Sequence, residues 1–216
     1  MQAKLLLKNI VLVGLFNPSF FDKYFFIKNN IANESEILGN SSFNAIGAVQ
    51  LVTNEFNILI SINQIIITDS IPEKNQDRIN HIISSIINYG NLNSITAIGI
   101  NFHWLLSDNS KSFKQLSKDL FYRDDIGVLS NYFNTDDSMY GLYASKIVKD
   151  ARLKLDIKPS NVQQSTVQPP DISGILFMFN FHFDIKNKIN TEEVFNFIKD
   201  YIFYKEESEK LLSIYL

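Results

Sequence analysis

Cysteine is absent from this sequence of 216 residues, which excludes disulfide bonds, thiolate catalysis and cysteine-ligated metal sites. Glycine is scarce as well, and eight residues leave little material for the loops that bind phosphate groups. The chain contains no G-x-G-x-x-G, P-loop, G-x-S-x-G, H-E-x-x-H or EF-hand pattern. The sequence therefore gives no indication of an enzyme, and we expect no cofactor and no bound metal.

A strong charge of either sign is also missing. The formal net charge is -3 and lysine dominates the cations, so the composition does not favour a nucleic-acid partner. No apolar run approaches the roughly 20 residues of a membrane-spanning helix. Residues 4–16 resemble a secretion signal, but Lys8 interrupts the apolar run and no small-residue cleavage site follows. We therefore expect a cytoplasmic protein without a membrane contact.

The clearest structural pattern lies between residues 43 and 106. Residues 56–62 alternate between apolar and polar, which predicts a half-buried strand, and the β-branched run 65–68 predicts its hairpin partner. Apolar residues then recur at helical spacing, at Ile79, Ile82, Ile83, Ile86 and Ile87. Residues 94–106 return to the strand pattern. This order of elements favours a sheet with a helix on one side.

Further strands are predicted at residues 5–16, 140–148, 152–158 and 173–185, and a long C-terminal helix from residue 191. The apolar run 5–16 indicates a central strand buried on both faces. The alternation in 152–158 indicates one wet face and an antiparallel neighbour. We predict one α+β domain over residues 1–216, with a mostly antiparallel sheet and helices packed on one face. Strands followed by a helix occur twice, which allows two structurally similar halves, 1–107 and 108–216.

Two of the predicted strands carry the same Asn-x-His pattern on the face opposite their apolar residues. Asn101 and His103 lie on one strand, and Asn180, His182 and Asp184 lie on the other. Neighbouring strands would join the five side chains in one polar cluster, with the Cβ atoms of His182 and Asp184 about 6–7 Å apart. A histidine beside a carboxylate can act as a base or contribute to a metal site. The alternative is a solvated sheet face on which such residues have no role.

Aromatic residues on the opposite faces of the same two strands suggest a second kind of site. A cavity beneath a helix could be lined by Phe102, Trp104, Phe177, Phe179, Phe181 and Phe183. Such side chains more commonly fill a core, and this alternative stays open at the sequence level.

Two short segments resemble a known group of proteins. Residues 94–101 read SITAIGIN and residues 14–18 read GLFNP. They resemble the central strand and the N-terminal corner of a sporadically distributed family of uncharacterised bacterial proteins. The resemblance implies a bacterial or mobile-element origin and a single-chain α+β fold, and it implies no catalytic residue.

The functional hypothesis that follows is a non-enzymatic interaction protein, either a homo-oligomer or one subunit of a bacterial or phage-related assembly. An unpaired edge strand, or the amphipathic C-terminal helix, is the natural contact surface. If the C-terminal helix is the contact surface, removal of residues 205–216 should leave a folded chain that assembles less well. The alternative function is a small-molecule-binding protein or enzyme with the aromatic-lined cavity. Nucleic-acid binding rests only on lysines between residues 111 and 118.

Overall fold

A computed structural model describes residues 1–43, 47–69, 76–90, 94–125, 127–162, 172–185 and 191–216. Eight strands form an antiparallel sheet in the order β2-β3-β4-β1-β5-β8-β7-β6. Six helices complete an α+β fold, as predicted from the sequence. The residues cluster into two compact units. The first comprises residues 1–6, 102–180 and 205–216, and the second comprises residues 7–101 and 181–204.

In the second unit, the strands alternate strictly between a buried and a half-exposed face. The strands are β2 (Ala48–Val52), β3 (Phe56–Ser61) and β4 (Gln64–Asp69), with burial that changes at every residue. Their antiparallel registers place Leu51 opposite Ile58 and Ile58 opposite Ile67. All three are inaccessible to solvent or nearly so. The predicted hairpin of β3 and β4 is confirmed, and its apolar alternation is the signal that set its register.

Strand β1 (Gln2–Leu15) lies between β4 and β5 in the sheet, so the prediction of a central strand is correct. The prediction that both its faces are buried is wrong. Ile10 and Leu12 are buried, whereas Val13 is 38% and Leu15 is 53% exposed. An antiparallel sheet can leave one face to solvent, and an apolar run does not reveal this by itself.

Helices of the second unit supply the other side of its core. They are α1 (Lys23–Lys28), α2 (Gln76–Tyr89) and α5 (Thr191–Lys199). Four of the five isoleucines predicted for the face of α2 are fully buried, and Ile87 is half-buried. Asn17 caps a short 3₁₀ turn, Pro18–Phe20, and Asp22 caps α1 by accepting a hydrogen bond from the Phe25 N–H. The sequence Ser70-Ile71-Pro72-Glu73 has the pattern of a capping box, and these residues lie outside the described part of the chain.

The first unit is built on β6 (Leu142–Val148), β7 (Ala151–Val162) and β8 (Ile172–Asp184), with α3 (Phe113–Phe121) and α4 (Val128–Phe133). Strand β5 (Ser94–Ser107) precedes α3 in the chain. Parts of β1, β5, β8 and the helix α6 (Tyr201–Leu212) belong to each unit. The sequence offers Ser110 or Ser112 as the cap of α3, and the Ser112 side chain takes this role by accepting a hydrogen bond from the Gln115 N–H. The proline-bracketed, glutamine- and serine-rich segment 159–171 favours a loop in the sequence, but residues 159–162 belong to β7. The rest of this segment lies outside the described residues.

The predicted long C-terminal helix is two helices. Helix α5 ends at Lys199, and α6 (Tyr201–Leu212) begins after Asp200. The charged run 205–210 does not interrupt α6, since an i,i+4 ion pair joins Lys205 to Glu209 at 2.8 Å. Ser208 and Leu212 are buried. The indole N–H of Trp104 donates to the Ser208 hydroxyl at 3.1 Å. One face of helix α6 is therefore part of a core, whereas Ile202, Phe203, Glu206 and Lys210 are exposed.

Candidate interaction surface

The predicted polar cluster lies on strands that are adjacent in the sheet, because β5 and β8 are neighbours. In the second unit, His182 Nε2 lies 2.9 Å from a carboxylate oxygen of Asp184, as the two-residue spacing predicts. The Asn101 side chain donates to the side-chain oxygen of Asn9 on β1 at 2.7 Å, and sequence reasoning did not foresee this partner. The histidine–carboxylate contact is real, while its use in chemistry stays a prediction.

His103 and Asn180 belong to the first unit. Burial lowers the pKa of His103 below its ordinary value of 6.5, and the nearby charge of Lys158 lowers it further. The neutral imidazole is therefore the favoured form in the fold. Asn180 is half-buried. Within the described part of the chain, no group of three histidine or carboxylate side chains is placed to hold a metal ion.

The aromatic residues proposed to line a cavity are packed against other side chains. Phe102, Phe177, Phe179 and Phe181 are completely buried or nearly so. In the first unit, Phe177 packs on Phe179 and on Tyr215 with ring centroids 6.5 and 5.2 Å apart. In the second unit, Phe181 packs on Tyr204 at 4.8 Å, and Phe183 stacks on Phe197 at 5.1 Å. Phe102, Phe177, Phe179 and Phe181 are therefore core residues, whereas Trp104 and Phe183 are half-buried.

Strand β6 is exposed along almost its whole length. Leu142 is 43%, Tyr143 is 66% and Ile147 is 58% exposed, and of the seven residues only Val148 is buried. Strand β6 pairs with β7 on one side and is the last strand of the sheet. No described strand pairs with its other side. An exposed strand edge presents N–H and C=O groups on which another strand can pair. We call residues 142–147 the β6 edge.

Two contacts fix the start of the β6 edge. The Ser117 hydroxyl, which is completely buried on α3, donates to the Tyr140 carbonyl oxygen at 2.7 Å and accepts from the Tyr140 N–H. Gly141 lies so close to the backbone of β7 that a Cβ atom there would collide with the Ile157 carbonyl oxygen. A side chain at residue 141 would push β6 away from β7. The edge is therefore held in place by its neighbours.

The opposite end of the sheet is protected. Residues 38–42 run beside β2, where the Leu38 N–H donates to the Val52 carbonyl oxygen at 2.9 Å. The Val52 N–H donates to the Ser41 hydroxyl at 2.9 Å, and Ser42 exchanges backbone hydrogen bonds with Gln50 at 2.8 Å. Covering an edge with a loop is a common way to prevent unwanted pairing. The β6 edge has no equivalent cover among the described residues.

A groove lies in the first unit close to the start of β6. Its volume is about 510 Å³, and its wall is mostly apolar and aromatic: Leu120, Phe121, Tyr122, Arg123, Leu129, Ser130, Phe133, Met139, Tyr140, Gly141, Leu142 and Tyr215. The Tyr140 hydroxyl donates to the Phe133 carbonyl oxygen, which ties the end of α4 to the strand. None of the six aromatic residues proposed from the sequence lines this groove. The groove was missed at the sequence level because helix α4, whose apolar side chains are exposed, was not predicted.

A second shallow cavity, of about 590 Å³, lies in the second unit beside α1. Its wall includes Phe20, Tyr24 and Tyr89, together with Asp22 and Lys28. Asp22 is already used as the cap of α1, and the Lys28 ammonium lies over the Tyr24 ring at 5.8 Å. Its polar groups thus have local structural roles.

A buried ion pair in the second unit was not predicted from the sequence. Lys8 Nζ lies 2.7 Å from a carboxylate oxygen of Asp69, and their side chains are 13% and 6% exposed. Burial raises the pKa of the Tyr201 hydroxyl, and the negative charge of Asp69 raises it further. Tyr201 therefore stays protonated at physiological pH. Lys8 had been noted only as an interruption of an apolar run, because sequence spacing does not show which charges meet.

No family model, curated protein or solved structure matches this chain. The resemblance of residues 14–18 and 94–101 to a bacterial family stays a prediction. None of the described helices has the length and apolar character needed to cross a membrane.

Proposed function

We propose that this protein is a non-enzymatic assembly subunit that binds another polypeptide chain by strand addition to the β6 edge. The observation that supports the proposal is the exposure of β6, with the apolar side chains of Leu142, Tyr143 and Ile147 open to solvent. The covered edge at β2 provides the contrast. A protein under pressure to remain monomeric protects both edges of its sheet. Strand addition combines main-chain hydrogen bonds with side-chain pairs, so it supplies both affinity and register.

The free energy of binding available at such an edge is modest. Each main-chain hydrogen bond contributes about 0.5–1.5 kcal/mol net. Each apolar cross-strand pair adds about 0.2–1 kcal/mol. An incoming strand that pairs with all of β6 therefore binds with measurable affinity only if its side chains match those of Tyr143 and Ile147. The proposal thus concerns a specific partner rather than general adhesion.

The substitution Tyr143→Lys tests the proposed contact. A lysine on the edge removes an apolar partner and adds a charge that an incoming strand must accommodate. The matched control is Tyr89→Lys, because Tyr89 is 63% exposed on α2, compared with 66% for Tyr143 on β6. Both variants should fold, since neither side chain is buried. We expect Tyr143→Lys to lose the assembly in size-exclusion chromatography with light scattering while Tyr89→Lys retains it. Equal behaviour of the two variants would refute the β6 contact.

A second candidate function is favoured by the charge at the groove. Arg123 lines the groove together with several aromatic residues, and none of the ion pairs seen within the described part of the chain involves Arg123. A volume of about 510 Å³ suits a small molecule. A groove with apolar walls and one cation favours a ligand with an apolar chain and a carboxylate group, such as a medium-chain fatty acid. Asp124 and Asp125 follow in the sequence and do not line the groove.

Thermal unfolding with decanoate tests this second candidate. The carboxylate should raise the melting temperature of the native sequence and of Arg152→Met, which changes an exposed arginine on β7. Arg123→Met should abolish the shift, because the carboxylate loses its counter-charge. A shift that survives in Arg123→Met, or an absent shift in the native sequence, would contradict carboxylate binding in the groove.

A further inference from the structure

The β6 edge is complementary to itself. The strand has seven residues, Leu142–Val148, so Ser145 is its centre. An antiparallel strand from a second copy, related by a two-fold axis at Ser145, pairs all seven residues. This register places Tyr143 opposite Ile147 of the second copy, and Ile147 opposite Tyr143 of the second copy. Pairs of an aromatic with a β-branched residue are among the favourable cross-strand combinations.

The position of the charged side chain in β6 favours the same register. Lys146 is the single charged residue in β6. With the axis at Ser145, Lys146 lies opposite Ala144 of the second copy, so the two ammonium groups avoid each other. A shift that centres the axis on Lys146 would place the two lysines directly opposite each other, which is destabilising. A shift that centres it on Ala144 would place Tyr143 opposite a serine and leave two residues unpaired. The register centred on Ser145 has neither defect.

The faces of the sheet are also preserved in this arrangement. Tyr143, Ser145 and Ile147 lie opposite Asp156, Lys154 and Arg152 of β7, and side chains opposite each other in an antiparallel pair share one face. An axis centred on a residue pairs odd-numbered positions with odd-numbered positions. The face of β6 that carries Tyr143 and Ile147 therefore continues into the same face of the second copy.

We propose that the partner of the β6 edge is β6 of a second copy of this chain, in a two-fold antiparallel pair centred on Ser145. This inference rests on the proposed function, since it names the partner of the same edge. Symmetric, self-complementary contacts of this kind are the commonest way in which soluble chains form dimers.

Because the chain has no cysteine, a single introduced thiol reports the register without interference. Opposed Cα atoms in an antiparallel pair are about 4.5–5.5 Å apart, within the range that a disulfide bridges. The variant Ser145→Cys should therefore form a covalent dimer under mild oxidation. Tyr143→Cys should not, because its two copies lie four residues apart along the strands, about 14 Å by strand geometry. A mixture of Tyr143→Cys and Ile147→Cys chains should give a covalent heterodimer.

Tyr89→Cys gives the rate of random cross-linking at an exposed site. Cross-linking of Ser145→Cys at or below that rate would overturn the second-copy proposal, and so would efficient self-cross-linking of Tyr143→Cys. The wider proposal has a separate test. A complex with a different polypeptide that Tyr143→Lys disrupts would leave the assembly function standing without the dimer. If no partner binds in a way that depends on β6, both the dimer and the assembly function are refuted.

Discussion

The buried hydroxyl of Ser117 is hydrogen-bonded to both backbone polar groups of Tyr140, the residue that leads into the exposed strand β6. One small side chain on α3 thus positions the entry to the proposed contact. The arrangement joins a helix to the edge at which we propose that a partner strand pairs.

Removal of this hydroxyl should destabilise the fold. In Ser117→Ala the Tyr140 N–H and carbonyl lose their partner in a partly buried position, and we expect a loss of about 1–3 kcal/mol. Urea denaturation measures the change. Ser19→Ala is the control, because Ser19 is exposed and the change should lie within about 0.5 kcal/mol. If both variants have the same free energy of unfolding, the Ser117 contact has no structural role.

Loss of the buried ion pair between Lys8 and Asp69 should destabilise the fold more than loss of an exposed ion pair with the same separation. Lys8→Met leaves the Asp69 carboxylate buried beside an apolar group, and breaking such a pair costs about 3–5 kcal/mol. The comparison is Lys23→Met. The Lys23–Glu34 pair has the same separation of 2.7 Å, but its side chains are 46% and 75% exposed. Loss of an exposed pair costs at most about 1 kcal/mol. Similar losses in the two variants, measured by urea denaturation, would show that Lys8 and Asp69 are not buried together.

Stability should decrease on acidification through the pH range below 6.5, because of His103. The pKa of His103 in the fold is below its ordinary value of 6.5, so the unfolded chain binds more protons in this range. The contribution of neutral His103 is complete above pH 6.5 and is lost as the pH falls toward the folded-state pKa. In His103→Gln this part of the pH dependence should disappear.

Lys158→Met should reduce the same pH dependence without abolishing it. Removal of the neighbouring positive charge lets the pKa of His103 rise toward its ordinary value, while the larger effect of burial remains. Unfolding free energies measured from pH 7 to pH 5 test both variants. An unchanged pH profile in His103→Gln would assign the acid sensitivity to other groups.

Removal of residues 205–216 should damage the fold rather than only the assembly. The deletion takes away Ser208, the partner of the Trp104 indole, and Tyr215, which packs on Phe121 at 5.6 Å. Exposed aromatic rings would follow, so we expect the truncated chain to lose cooperative unfolding. Fluorescence of Trp104, the single tryptophan, reports this directly. A truncated chain that unfolds as cooperatively as the full chain would restore α6 as a surface element.

The sequence predicted those elements whose apolar residues repeat strictly. The alternation in β3 and the isoleucines of α2 determine which face is buried, and both are confirmed. Burial of β1 could not be predicted, because an apolar run does not tell whether a second layer covers the sheet. The break between α5 and α6 could not be predicted either, because the apolar residues of the two helices follow one uninterrupted helical spacing.

The sequence predicted the type of contact surface but not which strand provides it. An unpaired edge strand was expected, but strand order depends on pairings between distant segments and could not place β6 at the edge. The Lys8–Asp69 pair and the Asn9–Asn101 hydrogen bond arise from the same long-range pairings. The polar cluster predicted at His182 and Asp184 followed from spacing within a single strand, which is why their contact could be foreseen.

Native mass spectrometry of the full chain at micromolar concentration, beside the Ile147→Lys variant, tests the central claim most directly. We expect an assembly of twice the 24.8 kDa chain mass for the native sequence and a monomer for Ile147→Lys. A monomer for both chains, or a dimer that Ile147→Lys leaves intact, would contradict self-assembly through β6.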